Sequence, residues 1–223
     1  MEVTSRKSNQ KGTLPLDLPA TRVEAQIEAA EQRYRRRFES PELESGWTVE
    51  SGIFDLIEPC ISPDQLKDFL QFSRLVQSES EVEQAGDNSP PDFARFKNLT
   101  AETVLELIER LPGRALADRQ NEAPLLLDFL RACLKNPDDV SLFGYYVGPQ
   151  RGDERISVEG MLYHRHSDLE IKRFHDESCS CDELWDYIVE ECDWSEAIIS
   201  TPDELTEVSS EHPQGVGWRL WWD

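Results

Sequence analysis

"VSLFGYYVGPQRGDERISVEGMLYHRH", Val140 to His166, reads as two strands around a turn. Val140–Gly148 is dense in β-branched and aromatic residues, and residues 149–154 (PQRGDE) form a turn cluster. From Arg155 the residues alternate. Ile156, Val158, Leu162, His164 and His166 share a parity, with Gly160 between them, and so are expected on one face. Two more strands are expected downstream. "LEIKRFH" (169–175) puts Leu169, Ile171, Arg173 and His175 on one face. "GVGWRLWWD" (215–223) closes the chain and is expected to pair with one of the earlier strands.

Upstream the period changes to that of helices. "TRVEAQIEAAEQRYRRRF" repeats apolar residues at Val23, Ile27, Ala30 and Tyr34, with Thr21 and Glu24 spaced as a capping box. Ser62, Pro63 and Gln65 open a second helix, Thr100 a third, and "EAPLLLDFLRACLKN" forms a fourth that is apolar on most sides. "ESGWTVESGIFDLIEPC" reads as a short strand or an irregular segment, and residues 78–93 as a Ser-, Pro- and acid-rich linker. Near the C-terminus, "TPDELTEV" has the spacing of a helical turn capped by Thr201.

Helices followed by strands predict an α+β fold: an N-terminal helical region, then a small mostly antiparallel sheet of about four strands with one packed helix. The organisation expected is a mobile tail at 1–20, a helical region at 21–136 and an antiparallel α+β region at 137–223, the last two able to share one core. No segment approaches the roughly 18 apolar residues of a membrane span, and the basic N-terminus leads into no apolar stretch. With an odd number of cysteines, five, the expectation is a reduced, cytoplasmic protein.

Charge is the strongest compositional signal. The 223 residues carry a net −22, and the stretch from Asp176 to Glu211 holds 13 acidic residues and no Lys or Arg. Such a field disfavours nucleic acid and anionic membranes and attracts cations or basic proteins. Within it, Cys181–Cys192 forms a helix. Ser180 and Glu183 are spaced as a capping box, and Cys181, Leu184, Trp185, Ile188 and Cys192 make one apolar stripe. Asp182, Asp186 and Glu190, four apart, line the opposite side, followed by Glu191 and Asp193.

Two functional readings follow. In the first the chain is a non-catalytic interaction module, of which an inhibitor or immunity-type protein is one form. It binds a basic protein partner through Asp182, Asp186, Glu190, Glu191 and Asp193, with Trp221 as an aromatic anchor, and needs no cofactor. The alternative is a metal- or thiol-dependent protein. His164 and His166 would stand on one strand face, with His175 and Cys179 or Cys181 completing a zinc site. The C-x-C spacing lacks the usual knuckle, and the acids around Cys179 and Cys181 oppose thiolate formation. No phosphate-cradling loop, G-x-S-x-G or H-E-x-x-H occurs, so the sequence leans away from an enzyme.

Overall fold

The computed structural model describes residues 19–76, 92–164, 169, 171–172, 179–194, 200–209 and 216–223, with backbone alone at 72–76, 209 and 216. The described residues form seven α-helices and five strands. In chain order these are α1 (Ala20–Arg35), α2 (Trp47–Glu50), α3 (Ile53–Ile57), α4 (Pro63–Val76), β1 (Phe93–Leu99), α5 (Ala101–Arg110), α6 (Leu126–Lys135), β2 (Val140–Val147), β3 (Arg155–Tyr163), α7 (Cys181–Glu191), β4 (Glu204–Ser209) and β5 (Val216–Trp221). The fold is α+β. None of the described helices is long and apolar enough to cross a membrane.

The sheet is antiparallel throughout, in the order β1-β2-β3-β5-β4. Its two faces differ sharply. On the inner face Leu142, Met161, Leu220 and Leu205 stand in register across four strands, and all are buried. The same level of the outer face carries Ser141, Leu162, Arg219 and Thr206, and the next carries Phe143, Gly160, Trp221 and Glu204. Helices cover the inner face. Trp222, just past β5, meets Phe129 of α6 at 5.6 Å, Trp185 of α7 at 6.0 Å and Trp194 at 6.5 Å. One buried cluster takes in Leu107 and Ile108 of α5, Phe129 and Leu130 of α6, and Met161, Trp218 and Leu220 of the sheet. Residues on both sides of position 136 therefore share it.

Long-range contacts fix the helices. Arg33 of α1 donates through Nε to the carbonyl of Leu111 at 3.1 Å and through Nη2 to that of Ile108, satisfying carbonyls at the C-terminal end of α5. Gly113 fits only as glycine, because a Cβ there would lie 2.2 Å from the Arg33 carbonyl oxygen. Glu154, before β3, caps α2 from across the chain. Its carboxylate accepts from the Gly46 amide at 2.6 Å, the Thr48 amide at 2.9 Å and the Thr48 hydroxyl. That hydroxyl also bonds the Tyr146 phenol at 2.8 Å, whose pKa burial pushes up to about 12.

Several segments depart from the sequence expectation. Residues 47–57 are two short helices rather than a strand, because Gly46 (φ 95°) and Gly52 (φ 68°) turn the chain before each and Glu154 supplies the cap. The sheet has five strands, not about four. Phe93–Leu99, for most of which no element is expected, is an edge strand with Ala94, Phe96 and Leu99 buried and Arg95 and Lys97 exposed; it overlaps the expected linker at Phe93, and residues 78–91 of that linker lie outside the described residues. The Thr201 capping pattern opens no helix. Leu205 is buried beside Leu220, and pairing with β5 makes 204–209 a strand. In 169–175, residues 169, 171 and 172 lie in no strand and the others fall outside the described residues. Of the expected caps, Ser62 accepts from the Gln65 amide at 3.4 Å. Thr100 and Ser180 hold the N-cap positions without a side-chain bond, and α1 starts one residue before Thr21, behind Pro19.

The alternation in β3 also breaks. Val158 pairs with Gly144 and Gly160 with Phe143, so Glu159 is an extra residue, a β-bulge. The buried inner set is therefore Ile156, Val158, Met161 and Tyr163, and Leu162 lies on the half-buried outer side. Gly160 is needed there, because a Cβ would lie 2.2 Å from the Leu220 carbonyl oxygen and 2.4 Å from the Phe143 ring.

Candidate interaction surfaces

Helix α7 presents its apolar stripe to the core: Leu184, Trp185, Ile188 and Val189 are buried. Asp182 and Glu183 in its first turn sit favourably on the positive end of the helix dipole, and no basic residue offsets the last turn. The helix ends in a Schellman motif. The Trp194 amide donates to the Val189 carbonyl at 3.0 Å and the Asp193 amide to the Glu190 carbonyl at 3.1 Å, with Asp193 in the left-handed region at φ 54°. Val189 and Trp194, at the two positions that are commonly apolar in this motif, are both buried.

The Asp193 carboxylate is committed internally. Lys135 Nζ lies 2.7 Å away and Arg131 Nη2 3.5 Å away, both on α6. The Lys135 hydrogen bond holds its carboxyl below the usual carboxylate range. Glu191 is half-buried, and its backbone carbonyl accepts from the Asn136 amide group at 3.3 Å. Asp182, Glu183, Asp186 and Glu190 are exposed, and none of them forms an ion pair among the described residues. The sequence set thus divides: a free acidic stripe of Asp182, Asp186 and Glu190, and a structural acid at Asp193.

Trp221 does not join that stripe. It stands on the outer face of the sheet, whereas α7 packs on the inner face through Trp185 and Trp222, and Tyr187 meets Tyr163 at 6.3 Å. Trp221 is half-buried beside Arg219, whose guanidinium lies 5.5 Å from the Trp221 ring centroid and 5.1 Å from that of Phe143. Arg219 also pairs with Glu204 at 2.6 Å. Next to this group is a cavity of about 370 Å³ lined by Arg95, Lys97, Phe143, Glu159, Leu162 and Arg219. The sequence reading missed this groove. Its signal was the alternation of basic and apolar residues in "FARFKNL" and "GWRLWW".

Of the metal-type residues, His164 is buried just past the end of β3, and its Nε2 lies 3.1 Å from the Ser141 hydroxyl. His166 and His175 lie outside the described residues. Cys179 is half-buried, and its sulfur accepts from the Lys172 amide at 3.4 Å. Burial and the neighbouring Cys179 push the Cys181 thiol up. Among the described residues no group of three or more His, Cys, Asp and Glu is placed to hold a metal ion. Cys192 at the far end of α7 is buried, which raises its thiol to about 12, as suits a small core side chain.

Comparison with protein-family models, with curated proteins and with solved structures finds no match to this chain.

Proposed function

We propose that the chain is a non-catalytic protein-interaction module that holds a basic protein partner against the exposed acids of α7. The observation that carries this reading is the contrast along one helix. Asp193 is held by two cations of α6, whereas Asp182, Glu183, Asp186 and Glu190 project from a core-anchored helix with no cation paired to them among the described residues. Like charges four apart on a helix cost a few tenths of a kcal/mol per pair, and a cationic partner removes that cost on docking. The surrounding field of a chain at net −22 adds long-range steering, which speeds encounter with a basic surface. An inhibitor or immunity-type neutraliser of a cationic protein is one form of this function. Trp221 lies on the other side of the sheet, so the reading rests on the helix stripe alone.

The test is a titration of the full chain with a labelled lysine-rich helical peptide at low and at physiological ionic strength. Binding that weakens with salt and is lost in the triple variant Asp182→Lys, Asp186→Lys, Glu190→Lys supports the assignment. Binding that survives the triple reversal removes it. Asp193→Asn, which leaves the stripe intact, is the control and should bind like the parent.

A further inference from the structure

The outer face of the sheet carries the opposite charge character to the rest of the chain. The six side chains named for its groove include three cations and one carboxylate, in a sequence with 45 acidic and 23 basic residues. We infer that this groove binds an acidic peptide segment of a partner protein, with its carboxylates on Lys97, Arg95 and Arg219 and an apolar side chain on Phe143 and Leu162.

Three features support that occupant. Lys97 is exposed and forms no ion pair among the described residues, so a cation is available without breaking an existing contact. Each arginine meets its internal acid through Nη1 alone, Arg95 with Glu159 and Arg219 with Glu204. The rest of each guanidinium fork can still take a carboxylate. The Arg219 guanidinium also lies over both the Phe143 and the Trp221 rings, contacts that reduce the entropy lost when it engages a ligand. The apolar component comes from Phe143 and Leu162, both half-buried.

The shape argues for an extended segment. A second cavity, of about 400 Å³, also borders Arg95, Lys97 and Asn98 and reaches Cys60 and Gln65. A chain crossing β1 would fill both cavities and bring several acids past Lys97. This site is separate from the α7 stripe, because the sheet lies between them, and it uses the opposite charge.

The experiment is fluorescence anisotropy of the full chain with a fluorescein-labelled acidic hexapeptide of sequence EFEDLE at physiological ionic strength, where exposed charges beyond roughly 8 Å are screened. Saturable binding is expected, weakened about tenfold or more in Lys97→Glu, weakened less in Lys97→Met, and unchanged in Arg35→Glu on α1. The α7 triple reversal should bind the acidic peptide like the parent, so the two surfaces fail or succeed independently. Circular dichroism of Lys97→Glu should match the parent, since the Lys97 side chain is exposed and forms no ion pair among the described residues. No saturable rise, or a rise that Lys97→Glu leaves unchanged, would overturn the assignment. Sedimentation showing parent dimers that Lys97→Glu dissolves would give the groove to a second copy and would equally overturn it.

Discussion

The two faces of one strand carry the main contrast in this molecule. In β5 and the residue after it, Trp218 and Trp222 are almost completely buried, and Trp221 between them is half-exposed. Trp218 belongs to the buried core cluster, and Trp222 touches three aromatic rings from α6, α7 and the segment after α7. Trp221 meets an arginine. A period of two therefore sorts identical side chains into a packing role and a surface role, and composition alone cannot distinguish them.

The contrast can be broken most directly at Trp222. Trp222→Ala should destabilise the chain by about 3–5 kcal/mol, because three ring contacts and the indole bond to the Ser200 carbonyl (3.0 Å) go at once. The readout is the urea midpoint at constant m-value, and a loss under 1 kcal/mol would mean the inner face is not the core described here. Gly160→Ala comes next, at about 1–3 kcal/mol, because the added methyl collides with the Leu220 carbonyl and the Phe143 ring. Since Phe143 belongs to the outer face, the same variant should also alter acidic-peptide binding, linking the two faces in one measurement.

Asp193→Asn sharpens the contrast between helix acids. Asparagine tolerates the left-handed backbone, so the change isolates the ion pairs with Lys135 and Arg131 and should cost no more than ~1 kcal/mol for so exposed a pair. The folded carboxyl lies below its unfolded value. Its stabilisation is therefore present above the unfolded pKa, near 4, and lost as pH falls through the folded value. The stability difference between parent and variant should accordingly vanish in acid, as urea midpoints across pH 2–7 would show. The smallest effect belongs to Trp221→Ala, expected below about 1 kcal/mol because its ring partner is a half-buried arginine on the outer face. Its indole should also be quenched more readily by acrylamide than that of Trp222, a difference that single-tryptophan variants would read.

Much of the architecture was legible where local preference and tertiary role agree. β2, β5, α6 and the apolar stripe of α7 each carry their signal over enough residues to stand out, and β3 stands out by composition although the bulge at Glu159 breaks its alternation. Elsewhere they conflict. β1 has only seven residues after a Ser- and Pro-rich stretch, and its existence depends on the β2 ladder. At Thr201–Glu204 the capping pattern is real as a local signal, yet pairing with β5 buries Leu205 and overrides it. The division of the candidate site was illegible for a different reason. Lys135 and Asp193 are 58 positions apart, so nothing in the sequence near Asp193 marks it as engaged. That Trp221 and the α7 acids lie on opposite sides of the sheet is a relation between a strand and a helix, which no periodicity within either can reveal.

The bulge at Glu159 acts on β3 much as a frameshift acts on a message. Ile156 and Val158 differ in parity from Met161 and Tyr163, and the one extra residue brings all four back to a common face. Deleting Glu159 would therefore leave the same side chains inside, on a strand that alternates without interruption. One residue inserted after Met161 has no such compensation: it would turn Leu162 inward and Tyr163 outward. Insertions in that half of β3 should therefore be far less tolerated than substitutions at the same positions.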